Sequence, residues 1–165
     1  MTNLIILRGP SASDKTTVAK LLKQAMENNV ALLDFDVFRG DFLDKKGEYY
    51  PAAAKMLMGT ATIALESGYD VIIDGFYRSE DYPDLLSDLL EKHPESNFIY
   101  YFDVSLETTI HRHSNREKSN QFGEKELRQW YYKPKASAIY DNEYKISETL
   151  SATETVDFIK DKIVS

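Results

Sequence analysis

The stretch that decides the fold runs Leu4-Ile5-Ile6-Leu7-Arg8-Gly9-Pro10-Ser11-Ala12-Ser13-Asp14-Lys15-Thr16-Thr17. Its first four residues form an unbroken apolar run, which is typical of a strand buried on both faces of a parallel sheet. Apolar residues then recur at helical spacing from Val18 to Met26, which predicts a helix with one buried face. Small and polar residues join the strand to the helix.

This loop has the spacing G-x-x-x-x-G-K-[ST] of a phosphate-binding loop, in the strand-to-helix context that the motif requires. Backbone N–H groups and the helix N-terminus would face a polyphosphate, Lys15 would reach its outer oxygens, and Thr16 would bind Mg²⁺. The candidate nucleotide-binding residues are Gly9, Ser11, Ala12, Ser13, Asp14, Lys15, Thr16 and Thr17. The alternative is a small-residue turn that caps a helix and leaves Lys15 in solvent.

Asp14 stands where the motif has its second glycine. A non-glycine residue held at positive φ loses about 1 kcal/mol, somewhat less when it is aspartate. A carboxylate ~4 Å from phosphate oxygens adds repulsion of ~1 kcal/mol per charge pair in water and ~4 kcal/mol at an effective dielectric near 20. We therefore expect nucleotide binding roughly ten- to thousand-fold weaker than in a glycine-containing loop. At a helix N-terminus beside Lys15, the carboxylate is itself stabilised and can occupy the anion site.

The rest of the chain alternates apolar strands with amphipathic helices. This pattern predicts an α/β fold with a doubly wound five-stranded parallel sheet, in one domain spanning residues 1–165. Ligands in such sheets lie beyond the carboxyl ends of the strands. The predicted strands are 3–7, 30–33, 71–73, 98–102 and 144–146. Helices are expected from 51 to 65, from 83 to a residue before Pro94, and from 124 to 132. Two more helices are expected to begin after Ser105, as an N-terminal cap, and after a capping box of Ser151 and Glu154.

Composition excludes several classes of protein. The 165 residues are 42% hydrophobic and 28% charged, as in an ordinary globular domain, so disorder and fibrous structure fit poorly. The absence of cysteine excludes disulfides, thiolate zinc sites and a cysteine nucleophile. No apolar run reaches the ~18 residues of a membrane span, and the first residues lack a signal-peptide pattern. We therefore expect a soluble cytoplasmic protein, as a monomer or a dimer.

Carboxylates and arginines follow two further strands. Asp36 and Arg39 lie three residues apart after the second strand, where one could deprotonate a hydroxyl and the other hold an anion. Asp74 ends the third strand, in the position of a carboxylate that holds Mg²⁺ through water, and Arg78 follows four residues later. Each has a simpler alternative, which is a capping aspartate with a surface arginine for the first pair and an Asp-Gly turn for Asp74.

Residues 111–135 form a basic segment on an acidic chain. It has seven basic and three acidic residues, whereas the whole chain has a net charge of −7. Arg112 and Arg116 are spaced i, i+4, which suits a small helical lid whose arginines neutralise phosphate charge. The alternative is a solvated helical face. His111 and His113 are expected to face solvent, and their spacing disfavours a metal site.

Four features together resemble small bacterial P-loop kinases of the zeta-toxin and polynucleotide-kinase type, often classed as AAA-family ATPases. These features are the loop at 9–17, Asp36 with Arg39, the strand ending at Asp74, and the lid around Arg112 and Arg116. The resemblance covers nearly the whole chain and implies a nucleoside-monophosphate-kinase-like fold with ATP and Mg²⁺ as cofactors. It also implies that Asp36 is the general base, that Arg39 contacts acceptor or phosphate, that Lys15 and Thr16 bind ATP-Mg²⁺, and that Arg112 or Arg116 reaches the phosphates from the lid. Asp14 departs from the family pattern.

Three functional hypotheses follow. The first is a kinase that transfers the γ-phosphoryl group of ATP to a hydroxyl, impaired here by Asp14. The second is a degenerate, non-catalytic protein that binds a nucleotide weakly or contacts a partner protein. The third, a GTPase switch, is disfavoured because no Asn-Lys-x-Asp stretch is present. For the kinase, the acceptor is either a small hydroxylated molecule, which the acidic net charge favours, or a nucleic-acid 5′ end stacked on Trp130, Tyr131 and Tyr132.

Overall fold

The computed structural model describes residues 2–43, 51–75, 83–94, 96–114, 123–131 and 143–164. The strands in chain order are β1 (Leu4–Arg8), β2 (Val30–Asp34), β3 (Asp70–Asp74), β4 (Asn97–Asp103) and β5 (Glu143–Ser147). The helices are α1 (Lys15–Ala25), the single turn α2 (Phe35–Val37), α3 (Pro51–Glu66), α4 (Pro83–Glu91), α5 (Leu106–Ser114), α6 (Glu124–Trp130) and α7 (Ala152–Val164), with a π-helical turn (Phe38–Phe42) after α2.

The five strands form one parallel sheet in the order β2-β3-β1-β4-β5. β1 lies at its centre, where it pairs with β3 and β4, and all five of its residues are buried. Strands covered on both faces need apolar side chains at every position, which explains the unbroken run at the start of the chain. The predicted doubly wound five-stranded sheet is confirmed.

Helices cover both faces of the sheet. Leu4 and Ile6 of β1 pack with α3 and α4, whereas Ile5 and Leu7 point to the opposite face and pack with α1 and α7. The alternation follows from the pleat of the strand, which sends successive side chains to opposite faces. Among the described helices, none is both long enough and apolar enough to cross a lipid bilayer.

Most helix ends lie close to the predicted positions. The Thr108 N–H donates to Ser105 Oγ (3.2 Å) at the start of α5, and Glu154 accepts from the Ser151 N–H (2.8 Å) at the start of α7. One prediction is wrong, since α6 ends at Trp130 and not at 132. Tyr131 is extended, and its hydroxyl donates to the Val104 carbonyl (2.9 Å), so a tertiary contact ends this helix before Pro134 is reached.

The topology places the predicted polar residues at one edge of the sheet. β1, β2 and β3 are neighbours, and in this parallel arrangement their carboxyl ends meet at the same edge. Asp34 at the end of β2 pairs in register with Asp74 at the end of β3, beside the loop that leaves β1. This edge is where ligands bind in open α/β sheets, and it defines the candidate site.

Candidate functional site

The loop between β1 and α1 curves through residues in left-handed conformations. Ala12 has φ 59° and Asp14 has φ 73°, conformations in which neighbouring backbone N–H groups can turn toward a common concave side. Such a nest of N–H groups is a recurrent anion-binding device. Gly9 has φ 144°, and a Cβ there would lie 2.9 Å from Phe102 Cβ on β4. The chain therefore needs glycine at Gly9, both for its conformation and for its contact with the sheet.

Lys15 lies inside this concave loop. Its side chain is 8% exposed, and Nζ donates to the Gly9 carbonyl (2.9 Å), the Pro10 carbonyl (2.8 Å) and Ser13 Oγ (3.2 Å). Burial of an ammonium group is tolerated because these oxygens replace its water. Ser11, Thr16 and Thr17 are exposed at the mouth of the loop. The structure thus contradicts the alternative in which Lys15 lies in solvent.

Asp14 has the positive φ expected from the motif, and its carboxylate pairs with Arg112 of α5. The distance from Arg112 Nη1 to Asp14 Oδ2 is 3.1 Å. The same guanidinium donates to the Ser13 carbonyl (3.3 Å) and to the Glu148 carbonyl (2.8 Å) on the turn after β5. Arg112 therefore connects α5, the loop and the β5–α7 turn, and it offsets part of the negative charge that Asp14 introduces.

Asp74 lies beside Thr16 and Lys15 at the base of the site. Its side chain is only 2% exposed, and burial raises its pKa above the usual value. The Lys15 charge and a hydrogen bond from Thr16 act in the opposite direction on this pKa, and the charge of Asp36 raises it further. Lys15, Thr16 and Asp36 therefore all lie near enough to Asp74 to influence its protonation.

The chemistry of this corner fits a magnesium ion. Asp74 Oδ1 is buried and has no hydrogen-bond partner among the described residues, which is costly for a carboxylate oxygen unless a cation or water meets it. A carboxylate and a hydroxyl supply the hard oxygen ligands that Mg²⁺ prefers, and Mg²⁺ usually keeps several waters and phosphate oxygens as well. Within the described ranges, no cluster of three or more His, Asp or Glu side chains forms a metal site of protein ligands alone.

Replacement of Asp74 by asparagine should stabilise the fold at neutral pH, because it removes a buried carboxylate. Since the native pKa of Asp74 is raised, ionisation of this group disfavours the folded state as pH rises from about 3.8 through the native value. We expect Asp74→Asn to raise the free energy of unfolding by about 1 kcal/mol at pH 7.5, and to lose this advantage near pH 4. Urea unfolding at both pH values measures it.

The control for this prediction is Asp70→Asn, at the other end of the same strand. Asp70 is equally buried, but its carboxylate accepts hydrogen bonds from the Asn3 N–H (2.7 Å) and from Asn28 Nδ2 (3.0 Å). Its replacement should cost roughly 1 kcal/mol, because satisfied bonds are lost. A destabilised Asp74→Asn protein at pH 7.5 would mean that the Asp74 carboxylate is satisfied within the fold, and that no cation site is needed to explain it.

Asp36 and Arg39 form an ion pair on the turn after β2. Arg39 Nε and Nη2 lie 2.8 Å and 2.7 Å from Asp36 Oδ1, as their three-residue spacing predicts. Asp34 Oδ1 accepts the Asp36 N–H (2.8 Å) and thereby holds the turn that presents Asp36. Asp34 was not among the candidate residues, although an Asp two residues before the next Asp at a strand end is a recognisable helix-capping signal.

Two arginines and two histidines remain among the residues considered from the sequence. Arg78 and Arg116 lie outside the described residues, as do residues 115–122 and 132–135 of the predicted lid. The expectation that both histidines face solvent is wrong for one of them, because His111 is exposed but His113 is buried. On a short helix, residues two apart point to different sides, so only one of the pair can face outward.

Solved structures with the same fold include several kinases. The Mycobacterium tuberculosis APS kinase CysC, in complex with AMPPNP and APS, has a TM-score of 0.77 and 17% identity over 99% of this chain and 98% of that chain. A gluconokinase from Sinorhizobium meliloti 1021 has a TM-score of 0.65 and 14% identity, over 98% and 91% of the two chains. At these identities the likeness establishes a P-loop kinase-like fold.

Sequence comparison gives the family. No curated protein sequence is significantly similar to the chain. A family model described as an AAA domain matches residues 4–133, a range that contains the loop, Asp36, Asp74 and Arg112. This match spans well over half of the 165 residues, and the chain therefore belongs to this AAA domain family.

Proposed function

We propose that this chain is an ATP-dependent phosphotransferase that moves the γ-phosphoryl group of ATP to a hydroxyl of a small molecule. The observation that carries the proposal is the convergence of four side chains at the carboxyl ends of β1, β2 and β3. Lys15 and Thr16 open α1, Asp74 ends β3, and Asp36 follows β2. The other three residues all influence the pKa of Asp74. This is the set that positioning and charge neutralisation of a triphosphate require.

Each residue has a distinct role in the proposed reaction. Lys15 exchanges its contacts with loop carbonyls for contacts with phosphate oxygens, and the loop N–H groups bind the same phosphates. Thr16 and Asp74 hold Mg²⁺, which supplies neutralisation of phosphate charge when bound. Asp36 accepts the proton of the acceptor hydroxyl as its oxygen bonds to the γ-phosphorus and ADP leaves. Arg39 keeps the Asp36 carboxylate oriented through the pair on Oδ1.

A small acceptor fits the described residues better than a nucleic-acid end. Of the aromatic residues proposed to stack on bases, Trp130 is exposed, the Tyr131 hydroxyl donates to the Val104 carbonyl, and Tyr132 lies outside the described residues. The net charge of −7 also opposes binding of a polyanion. The solved kinases of similar fold include a gluconokinase and an APS kinase, which also favours a small hydroxylated acceptor. If a 5′-hydroxyl oligonucleotide binds instead, its affinity should fall steeply with added salt.

Asp14 lowers the nucleotide affinity of this chain. Its carboxylate is on the loop that must receive the triphosphate, and its charge is only partly offset by Arg112, since both side chains are partly exposed. The contacts of Arg112 with Asp14, Ser13 and Glu148 also compete with any contact between Arg112 and phosphate. These contacts are the specific observation that supports the second candidate function, a weak nucleotide binder without catalysis.

The substitution Asp14→Gly tests the proposal. We expect it to tighten binding of ATP-Mg²⁺ roughly ten- to thousand-fold, because it removes both the carboxylate and the cost of a side chain at φ 73°. Isothermal titration calorimetry measures the affinity, and thermal shift measures the accompanying stabilisation, about 2.7 kcal/mol at 100 times the dissociation constant. Asp14→Asn is the matched control, because it removes the charge but keeps a side chain that tolerates this conformation.

The outcomes separate the candidate functions. If Asp14→Gly binds ATP-Mg²⁺ no tighter than the parent chain, the account of the loop is wrong. If it binds tightly, radiolabelled ATP is offered with gluconate, adenosine 5′-phosphosulfate, adenosine and a 5′-hydroxyl oligonucleotide as acceptors. Label transfer to one of the small molecules supports the proposed kinase. Tight binding with no transfer to any of them favours the non-catalytic alternative.

A further inference from the structure

The outward face of α3 is apolar over most of its length. Its exposed residues between Lys55 and Glu66 are Met56, Gly59, Thr60 and Ile63. No charged residue occurs from Met56 to Leu65, although the chain as a whole is 28% charged. Ile63 is 65% exposed, which is high for an isoleucine in a folded domain. We call this set the α3 face.

Gly59 lies in the middle of this face and is not required by the packing of the chain itself. Glycine in a helix interior costs about 1 kcal/mol relative to alanine. A Cβ at Gly59 would find no atom of the described residues within 4 Å, and its φ lies outside the left-handed region. Glycine at this position leaves room for the backbone of another molecule to approach the helix closely.

The hydroxyl groups near the α3 face are already satisfied. Thr60 Oγ1 donates to the Met56 carbonyl (2.8 Å), and Thr62 Oγ1 donates to the Met58 carbonyl (3.0 Å). Burial of these threonines against a partner therefore leaves no hydroxyl donor without an acceptor. The free-energy cost of an unsatisfied buried donor does not arise. The face can form a dry contact.

Side chains of opposite charge lie at the two ends of the α3 face. Lys55 and Glu66 are eleven residues apart, so they lie within about 20° of one line along the helix, at opposite ends of the uncharged stretch. We propose that the α3 face pairs with the α3 face of a second copy of this chain, antiparallel about a two-fold axis near Thr60 and Ala61. In that pairing Lys55 of each copy meets Glu66 of the other.

The same axis gives a consistent set of contacts. Gly59 lies opposite Thr62 of the second copy, which lets the two helices approach closely. Ile63 and Met56 lie on the same flank of the face, so Ile63 of one copy packs beside Met56 of the other. Because each chain carries a net charge of −7, self-association needs a surface without like charges, and the α3 face provides it. The proposal is independent of the catalytic one.

Sedimentation velocity of the full chain over a range of protein concentrations in 150 mM salt tests the pairing. We expect a reversible dimer, and Ile63→Glu should raise its dissociation constant at least tenfold, because a charge is buried against an apolar partner. Leu21→Glu is the matched control. Leu21 is an exposed apolar residue on α1, outside the α3 face, and its replacement should leave the dimer unchanged.

A charge exchange identifies the second copy as the partner. Lys55→Glu alone places two acidic residues opposite each other at both ends and should weaken the dimer several-fold. The double variant Lys55→Glu with Glu66→Lys should restore it, since the exchanged charges meet again only in an antiparallel self-pairing. A chain that remains monomeric at all concentrations overturns the proposal. So does a dimer that Ile63→Glu leaves intact, or one that the double variant fails to restore while circular dichroism shows a native fold.

Discussion

Phosphoryl transfer should slow about 10²- to 10⁴-fold when Asp36 is replaced by asparagine, the range expected when a general base is removed. The comparison is made in the Asp14→Gly chain, where nucleotide binding is strong enough to measure. Asparagine keeps an Oδ1 that can accept from Arg39, and the Asp36 N–H keeps its bond to Asp34, so the turn should persist. The substitution removes the ability to take the hydroxyl proton, together with one negative charge.

The measurement is initial-rate transfer of label from ATP to whichever acceptor the Asp14→Gly chain uses. The affinity for ATP-Mg²⁺ should stay within about threefold, because Asp36 acts on the acceptor and not on the nucleotide. Asp41→Asn is the matched control, since Asp41 is exposed on the adjoining π-helical turn and loses the same charge. A rate loss below tenfold for Asp36→Asn, or an equal loss for Asp41→Asn, would remove Asp36 from the role of base.

The features that the sequence predicted are local ones. The central strand could be recognised because burial on both faces requires an unbroken apolar run, and the loop because its spacing is fixed by the geometry of a strand-to-helix turn. The positive φ of Asp14 follows from the glycine that the motif normally has at this position. The pairing of Asp36 with Arg39 likewise follows from a spacing of three residues on a helical turn.

The features that the sequence missed depend on residues far apart in the chain. Arg112 binds the Ser13 carbonyl across 99 residues, and nothing in the local pattern of either segment specifies that contact. From the sequence, the Asp14 carboxylate was expected to occupy the anion site at the helix N-terminus beside Lys15, whereas the fold brings α5 against the loop and supplies Arg112 as its partner. The preferred partner of a charged side chain depends on topology, which determines the helices that meet at the carboxyl edge of the sheet.

Arg8 shows the same limit most clearly. The sequence placed it in the loop, but it is the last residue of β1 and is 1% exposed. Its Nη1 lies 3.1 Å from Glu143 Oε1, across 135 residues, and its guanidinium lies over the Tyr101 ring at 5.6 Å. Burial raises the pKa of Glu143, and the Arg8 charge and hydrogen bond act against that shift. The pair connects the end of β1, directly before Gly9, to the edge strand β5.

Replacement of Arg8 by methionine should therefore destabilise the fold by about 3–5 kcal/mol, because it leaves Glu143 as an uncompensated charge with a side chain only 5% exposed. Urea unfolding at pH 7.5 measures this loss. Without Arg8 the native pKa of Glu143 rises further above its unfolded value of about 4.5. The loss of folding free energy caused by ionised Glu143 is therefore complete above the native pKa, and it disappears as the pH falls toward 4.5. The deficit of Arg8→Met should shrink accordingly at pH 5.

Two further variants decide whether the buried charge is the cause. The double variant Arg8→Met with Glu143→Gln should recover much of the loss at pH 7.5, because no ionised group then remains buried in the pair. Arg128→Met removes the same type of side chain from the exposed pair with Glu124 on α6 and should cost only about 0.5 kcal/mol. A deficit for Arg8→Met that is equal at pH 5 and pH 7.5, and that Glu143→Gln leaves unchanged, would show that Arg8 stabilises the sheet through its packing on Tyr101 rather than through its charge.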